Sequence, residues 1–221
     1  MDILVIDVGG ASIKMRTSAS PEIRQIPSGR ALTPAQMIER TLAVVSDWRF
    51  DAVSLGYPGV VRDGRPSLEP HNLGPGWVGF DYQRSFCRPL RIVNDAAMQA
   101  IGSYQGGRML FLGLGTGLGS ALLVHGTVHG LEISQLPYKA GHTFGGFLAQ
   151  RGLERLGLAA WREEVANVVS LLRDALVTDY VILGGGNVRH LDAVPPFCRP
   201  GHNANAFEGG FRLWKDPEIR L

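Results

Sequence analysis

Between Met109 and Val128 the chain reads MLFLGLGTGLGSALLVHGTV, with glycine at every second position from Gly113 to Gly119. Glycine in a strand packs nothing and loses the most backbone entropy, so such a run needs a reason: a sharp turn, or something that must come close to the backbone. A dinucleotide loop requires G-x-G-x-x-G between a strand and a helix. No three of Gly113, Gly115, Gly117 and Gly119 have that spacing, and the residues that follow, SALLVHGTV, are strand-like. A Walker A loop requires Gly-Lys, which the chain lacks. What remains is a β-hairpin whose bare turn lets successive backbone amides surround phosphate oxygens, with the Thr116 hydroxyl as a further donor. A plain glycine hairpin accounts for this segment alone equally well. The balance moves toward phosphate because DVGGASIK at Asp7 and LGGGNV at Leu183 have the same strand-then-glycine form.

These residues need elements to hold them. Residues 3–27 read as strand, glycine turn, strand, a polar turn around Ser18 to Pro21, and a third strand. From Thr33 the segment TPAQMIERTLAVVSDW places Met37, Ile38, Leu42, Val45 and Trp48 on one helical face, with Thr33 and Pro34 as its start. DAVSLGYPGVV is a strand entering a loop, and RDGRPSLEPHNLGPGWVGF has too many turn formers to be regular. A loop of that length in a compact protein is usually functional or disordered. A strand at LRIV leads into a helix starting near Asn94, and the glycine hairpin follows. Beyond it the pattern predicts a loop over 131–146, helices over 147–156 and 161–176, a strand over 180–183, the GGGNV turn, and a tail ending in a short docking helix. The strand, glycine turn, strand plan of 3–17 recurs at 109–124, as two lobes facing one cleft would require.

A formal net charge of +2 over 221 residues gives no electrostatic footprint for nucleic acid. Cys87 and Cys198 form neither a disulfide framework nor a Cys-x-x-Cys metal site, which points to a reducing cytoplasm. The apolar run at the amino terminus is too short for a signal peptide, and no stretch approaches the about 18 apolar residues of a spanning helix. No membrane partner is therefore expected.

DVGGASIK, NDAAMQA, GLGTGLGSALLV and LGGGNV, in that order, resemble the superfamily of sugar kinases, actin and heat-shock chaperone ATPases. Within it the chain is similar to the ROK family of sugar kinases, nearest to the polyphosphate glucokinases. The resemblance covers most of the chain, and its specificity lies in the combination of motifs. It implies an α/β, two-lobed actin-like ATPase (ribonuclease H-like) fold with a mixed sheet in each lobe and a central cleft. The N-terminal lobe would span 1–93 and the C-terminal lobe 94–221, with the last helix packing back on the first lobe. The implied activity is Mg²⁺-dependent transfer of a phosphoryl group from ATP or polyphosphate to a hydroxyl of a sugar or related small molecule. A non-catalytic or ATP-hydrolysing nucleotide-binding member, acting as a sensor or assembly factor, is the alternative. Oligomeric state stays open, a homodimer among the options.

By the same resemblance Asp7, Gly9, Gly10, Ser12 and Lys14 form the first phosphate motif, Asp7 also holding Mg²⁺ through water. Gly115, Thr116, Gly117 and Gly119 form the second, and Gly184, Gly185, Gly186 and Asn187 the nucleotide motif. Asp95 is the expected catalytic base, accepting the proton of the attacking hydroxyl, although Asn94 and Asp95 are also good helix caps. Asn72, Asn94, Lys139 and His142 are the expected substrate contacts, with Trp77 a face for the sugar ring. The family's Glu-x-Gly-His segment is read here as KAGH, so that Lys139 stands where an acid is expected. The cysteine-rich zinc segment is absent, and Ala149 occupies the place of a second acid, with Glu154 as its substitute.

Overall fold

The computed structural model describes residues 1–221. Strands β1 (Ile3–Val8), β2 (Ser12–Thr17) and β3 (Arg24–Pro27) form an antiparallel meander, and the Gly9 amide donates to the Ser12 carbonyl at 3.0 Å to close its first turn. β4 (Ala52–Tyr57) and β7 (Leu90–Asn94) add parallel to β1, giving the order β3-β2-β1-β4-β7. Central β1 is covered on both faces: Leu4 and Ile6 join one core cluster, Ile3 and Val5 another. Helix α1 (Pro34–Val44) covers the first face with Met37 and Ile38, and starts as its sequence dictates, Thr33 and Gln36 forming a reciprocal capping box before Pro34. The long loop that follows contains a two-residue hairpin, β5 (Val61–Arg62) with β6 (Arg65–Pro66), and leads to the short helix α2 (Tyr82–Phe86).

After β7 the chain enters α3 (Asp95–Ser103) and then a second mixed sheet. β8 (Arg108–Leu114), β9 (Leu118–Val124) and β10 (Thr127–Leu131) are antiparallel, while β11 (Tyr180–Gly184) and β12 (Cys198–Pro200) run parallel to β8. The repeated plan in the sequence is thus a repeated half-sheet, extended by β10 and β12, which the pattern did not predict. The 131–146 stretch is not all loop, since Ile133–Gln135 form a 3-10 turn. The predicted helix over 147–156 divides into α4 (Phe144–Leu148) and α5 (Gln150–Leu156) at Ala149, whose ψ of 176° is extended. Helix α6 (Leu158–Ala175) lays Trp161, Val165, Val168 and Leu172 against Leu110, Leu112, Val181 and Leu183.

Helix α7 (Asn205–Lys215) pairs with α3 between the two sheets, in one core with Ile3 and Val5 of β1 and Met109, Phe111, Ala121 and Leu123 of the second sheet. No helix is long and apolar enough to cross a membrane. Cys87 and Cys198 are both free.

Candidate active site

Where β7 runs into α3, Asn94 caps the helix: its side-chain oxygen accepts from the Ala96 and Ala97 amides at 2.9 and 3.2 Å, and its Nδ2 donates to the Gly59 carbonyl at 3.0 Å. The expected contact from Asn94 to substrate is thereby reduced to the one N–H left over. Asp95 is the first residue of α3, and its Oδ1 accepts from the Ala96 amide at 2.8 Å. Part of Asp95 is open to the cleft, yet burial of its carboxyl, reinforced by the charge of Asp7, pushes its pKa up to about 7. Burial likewise raises Asp7 to about 6, opposed by Lys14, its cross-strand neighbour on β2. Both acids sit at carboxyl ends of strands that run parallel, where open α/β sheets place their ligands.

A cavity of about 360 Å³ lies between the two halves. Gly10, Asn72, Asn94 and Asp95 line it from one side, and Gly115, Thr116, Gly117, Gly119 and Gly185 from the other. Asp7, Gly9, Ser12, Lys14, Gly184, Gly186 and Asn187 are not part of that lining. Asn187 is buried and reaches the Gly115 carbonyl only at 3.5 Å, so it braces the turn from behind.

The glycines separate by what a methyl group would meet. At Gly185 the φ of +85° and a Cβ 2.3 Å from the Leu114 carbonyl oxygen both require glycine, and Gly184 is pressed against the Phe111 ring. At Gly119 a Cβ would lie 2.7 Å from the Ala96 Cβ. Gly119 is bare so that β9 can touch the first turn of α3. At Gly117 nothing lies within 4 Å and φ is not positive, so the fold itself does not demand glycine there. Gly115 donates to the Gly117 carbonyl at 3.0 Å to close the turn, while the amides of Thr116 and Gly117 have no backbone partner. Two adjacent free amides facing a cleft are the donor arrangement that binds phosphate oxygens. Gly119→Ala is expected to push on Ala96 and so on Asp95: kcat falls about tenfold with a smaller change in donor affinity, measured by steady-state kinetics.

Two expected substrate contacts are elsewhere. Lys139 is bound to Glu164 at 2.9 Å, and His142 packs edge-on to Phe147; neither lines the cleft. Besides Asp95, the acids that line it are Glu69, whose carboxylate accepts from the Trp77 and Val78 amides, and Glu132, followed by Ser134 and Gln135. KAGH carries the histidine, but β10 ends at Leu131 and so delivers Glu132 to the cleft first. Glu132, Ser134 and Gln135 therefore enter the cleft, whereas Gly141 and His142 line a neighbouring cavity. Burial raises the Glu132 carboxyl above its ordinary pKa, and His71 across the cleft lowers it. Glu132 and His71 had no signal in the sequence beyond their types. Trp77 is fully buried against Tyr57 in the first core and offers no face to a ligand. Glu154 accepts from Gln150 at 2.8 Å and does not line the cleft.

Two mixed sheets of repeated plan, with a cleft between them entered by a glycine turn from each, define the two-lobed actin-like fold of the sugar kinases. The comparisons with known proteins agree. The chain is 28% identical over 213 residues to the polyphosphate glucokinase of Mycobacterium leprae, covering 85% of this chain and 64% of that protein. The chain thus spans 64% of the length of this curated relative. The inorganic polyphosphate/ATP-glucomannokinase of an Arthrobacter species superposes with a TM-score of 0.78 at 22% identity, covering 94% of this chain and 96% of that one. A ROK family protein of Streptococcus pneumoniae, solved with sucrose, gives 0.78 at 15% identity over 99% of both chains. A ROK family glucokinase of Streptomyces griseus, solved with glucose and AMPPNP, gives 0.72 at 13% identity over 95% and 97%. No family model matches the chain. The resemblance to the ROK sugar kinases, and the fold it implies, hold.

Proposed function

We propose that the chain is a phosphotransferase that moves the terminal phosphoryl group of ATP or inorganic polyphosphate to a hydroxyl of a sugar or related small molecule. The observation that carries this is the position of Asp95. Its carboxyl, raised to about 7 by burial, shares one cleft with the polar groups of Asn72 and Glu132 and the free amides of Thr116 and Gly117. A base with a pKa near the working pH is matched to accept the proton of a hydroxyl as its oxygen bonds to phosphorus and the bond from phosphorus to the donor breaks.

The other roles follow from placement. Thr116 and Gly117 hold the donor's terminal phosphates, with Gly115 and Gly119 shaping the turn and Gly10 approaching from the opposite wall. Gly9 and Ser12 close the β1–β2 turn, and Lys14 tempers the charge of Asp7. If the donor is a nucleotide, Gly185, the one residue of Gly184–Asn187 that lines the cleft, lies beside its base, and Asn187 braces the turn behind it. Asn72 and Glu132 hold acceptor hydroxyls, Glu132 accepting two hydrogen bonds where a lysine would only donate.

Mg²⁺ fits the residues present. Asp7 and Asp95 are two desolvated carboxylates that repel each other, and no group of three or more His, Cys, Asp or Glu side chains gathers to hold a metal alone. Mg²⁺ usually takes one or two carboxylates and completes its shell with water and substrate phosphate. Asp7 would hold it through water, and the ion would neutralise charge on the phosphoryl group in flight. The setting we propose is the cytoplasm, where both donors are made.

A matrix of phosphoryl donors against sugars, with products read by mass spectrometry, tests the proposal; no phosphorylated product from any pair in the presence of Mg²⁺ would overturn it. Glu132→Gln is expected to raise the acceptor KM about tenfold or more with donor KM unchanged, as loss of a charged hydrogen-bond acceptor should. An unchanged acceptor KM would remove Glu132 from the acceptor site.

A further inference from the structure

A second cavity opens beside the cleft, lined by Gly141, His142, Thr143, Gly146, Arg151 and Arg155, with no hydrophobic residue and no carboxylate among them. Arg151 and Arg155 are four residues apart on α5 and so share one face of it. Arg155 spends one nitrogen on the Gly146 carbonyl at 3.0 Å and lies over the Phe147 ring, which fixes its guanidinium and leaves its other donors free. Arg151 is exposed and has neither an ion-pair nor a hydrogen-bond partner. The acid nearest in sequence, Glu154, is turned to Gln150. The charge is local, because the chain as a whole carries only +2.

One thickness of chain separates this cavity from the cleft. The Gln150 amide, next to Arg151, donates to the carbonyl of Gly115 in the phosphate turn at 2.8 Å. On the other flank Ser134, which lines the cleft, is packed so tightly against Gly145 that a methyl there would lie 2.2 Å from its hydroxyl oxygen. The next residue, Gly146, lines the second cavity.

We propose that this cavity is a subsite for the distal phosphates of an extended polyphosphate donor whose reacting end lies under the Gly115–Gly117 turn. The inference rests on the phosphotransferase proposal and deepens it by choosing between the donors. Paired guanidiniums bind phosphate through parallel N–H bonds. The imidazole of His142 and the hydroxyl of Thr143 add donors at the same place. A sugar ring or a purine would find no apolar wall here. A chain of repeating phosphates finds donors both at the turn and beyond it, whereas a nucleotide ends its phosphates in a ribose.

The experiment measures equilibrium binding, without turnover, of long-chain inorganic polyphosphate, tripolyphosphate and ATP to the wild-type chain and to Arg151→Glu at fixed ionic strength. Arg151→Gln and Arg155→Lys are carried alongside. Arg151 has no partner in the fold, so its variants should melt as the wild type does. Long-chain polyphosphate is expected to bind about tenfold more weakly to Arg151→Glu, with a smaller loss in Arg151→Gln, while ATP and tripolyphosphate keep their affinities. Arg155→Lys, which retains charge but not the planar fork, should also weaken the long chain selectively. Unchanged binding of the long chain, or equal weakening of all three anions, overturns the subsite. A second arm measures KM for sugar phosphates as acceptors; if Arg151→Glu raises that KM and spares polyphosphate binding, the phosphate recognised here belongs to the acceptor and the donor assignment is wrong. Failure of the phosphotransferase proposal would register separately, as absence of product in the donor and acceptor matrix.

Discussion

Asp95→Asn should lower phosphoryl transfer by about 10²–10⁴-fold while leaving donor binding nearly intact, and it should also stabilise the ligand-free protein at pH 8. The first effect follows because asparagine keeps the shape and the hydrogen bond from the Ala96 amide but cannot take a proton. The second follows from the same burial. In the unfolded chain an aspartate ionises near 3.8, whereas in the fold Asp95 holds its proton to about 7. Between those values the native state binds the extra proton, so stability is full below about pH 4, falls as pH rises toward 7, and stays reduced above it. The move from 3.8 to about 7 corresponds to about 4 kcal/mol as a ceiling, shared with Asp7 because the two carboxyls titrate as a pair. Glu132 adds a weaker repulsion, and Lys14 acts on the pair only through Asp7. Thermal melts from pH 4 to pH 8 should therefore diverge, wild type losing stability with rising pH more steeply than Asp95→Asn. Parallel curves would mean that Asp95 is well solvated, and normal turnover in the variant would remove it as the base.

The glycine turn that lines the cleft was largely legible in the sequence, and the acid at Glu132 was not. Glycine spacing survives as a signal because a backbone that must be approached closely has few alternatives to glycine. Even so, the spacing alone does not say what each glycine faces: the open cleft at Gly117, helix α3 at Gly119, the Leu114 carbonyl at Gly185. Glu132 lacked any such mark. An acid after a short edge strand looks like a solvated turn residue, and only the extension of the hairpin by β10 and the 3-10 turn at Ile133–Gln135 reveals that it enters the cleft. His142 misled for the opposite reason, being a chemically suggestive residue in a familiar triplet that the fold carries to the neighbouring cavity. Helix α7 was expected to pack back on the first lobe, but its crossing with α3 had no mark, since nothing in the spacing of Gly102, Gly209 and Gly210 announces that the first meets the second while the third meets β1.

That helix contact is the basis of the other large effect: Gly209→Ala should cost about 3 kcal/mol of stability and lower the melting temperature by roughly 6–12 °C. A methyl at Gly209 would lie 1.8 Å from the Met98 carbonyl oxygen and 2.9 Å from the Gly102 amide, and one at Gly102 would lie 1.9 Å from the Asn205 carbonyl oxygen. Each obstacle is helical backbone, which cannot turn aside as a side chain can. Ordinarily alanine improves a helix over glycine by about 1 kcal/mol, so the sign of the change is itself informative. To admit the methyl, α7 must withdraw from α3, yet α7 is held in place: the Gly210 carbonyl accepts from Ser54 of β4, and Arg212 ties α7 to the end of α3 through the carbonyls of Ile101 and Tyr104. The strain therefore passes into α3, whose first residue is Asp95. Activity at a temperature where the variant is still folded should fall mainly in kcat. Gly117→Ala provides the contrast, because open space surrounds that position: its melting temperature should match the wild type while donor affinity weakens. If Gly209→Ala melts like the wild type, the α3–α7 crossing is looser than these contacts require, and α3 is positioned by the sheets alone.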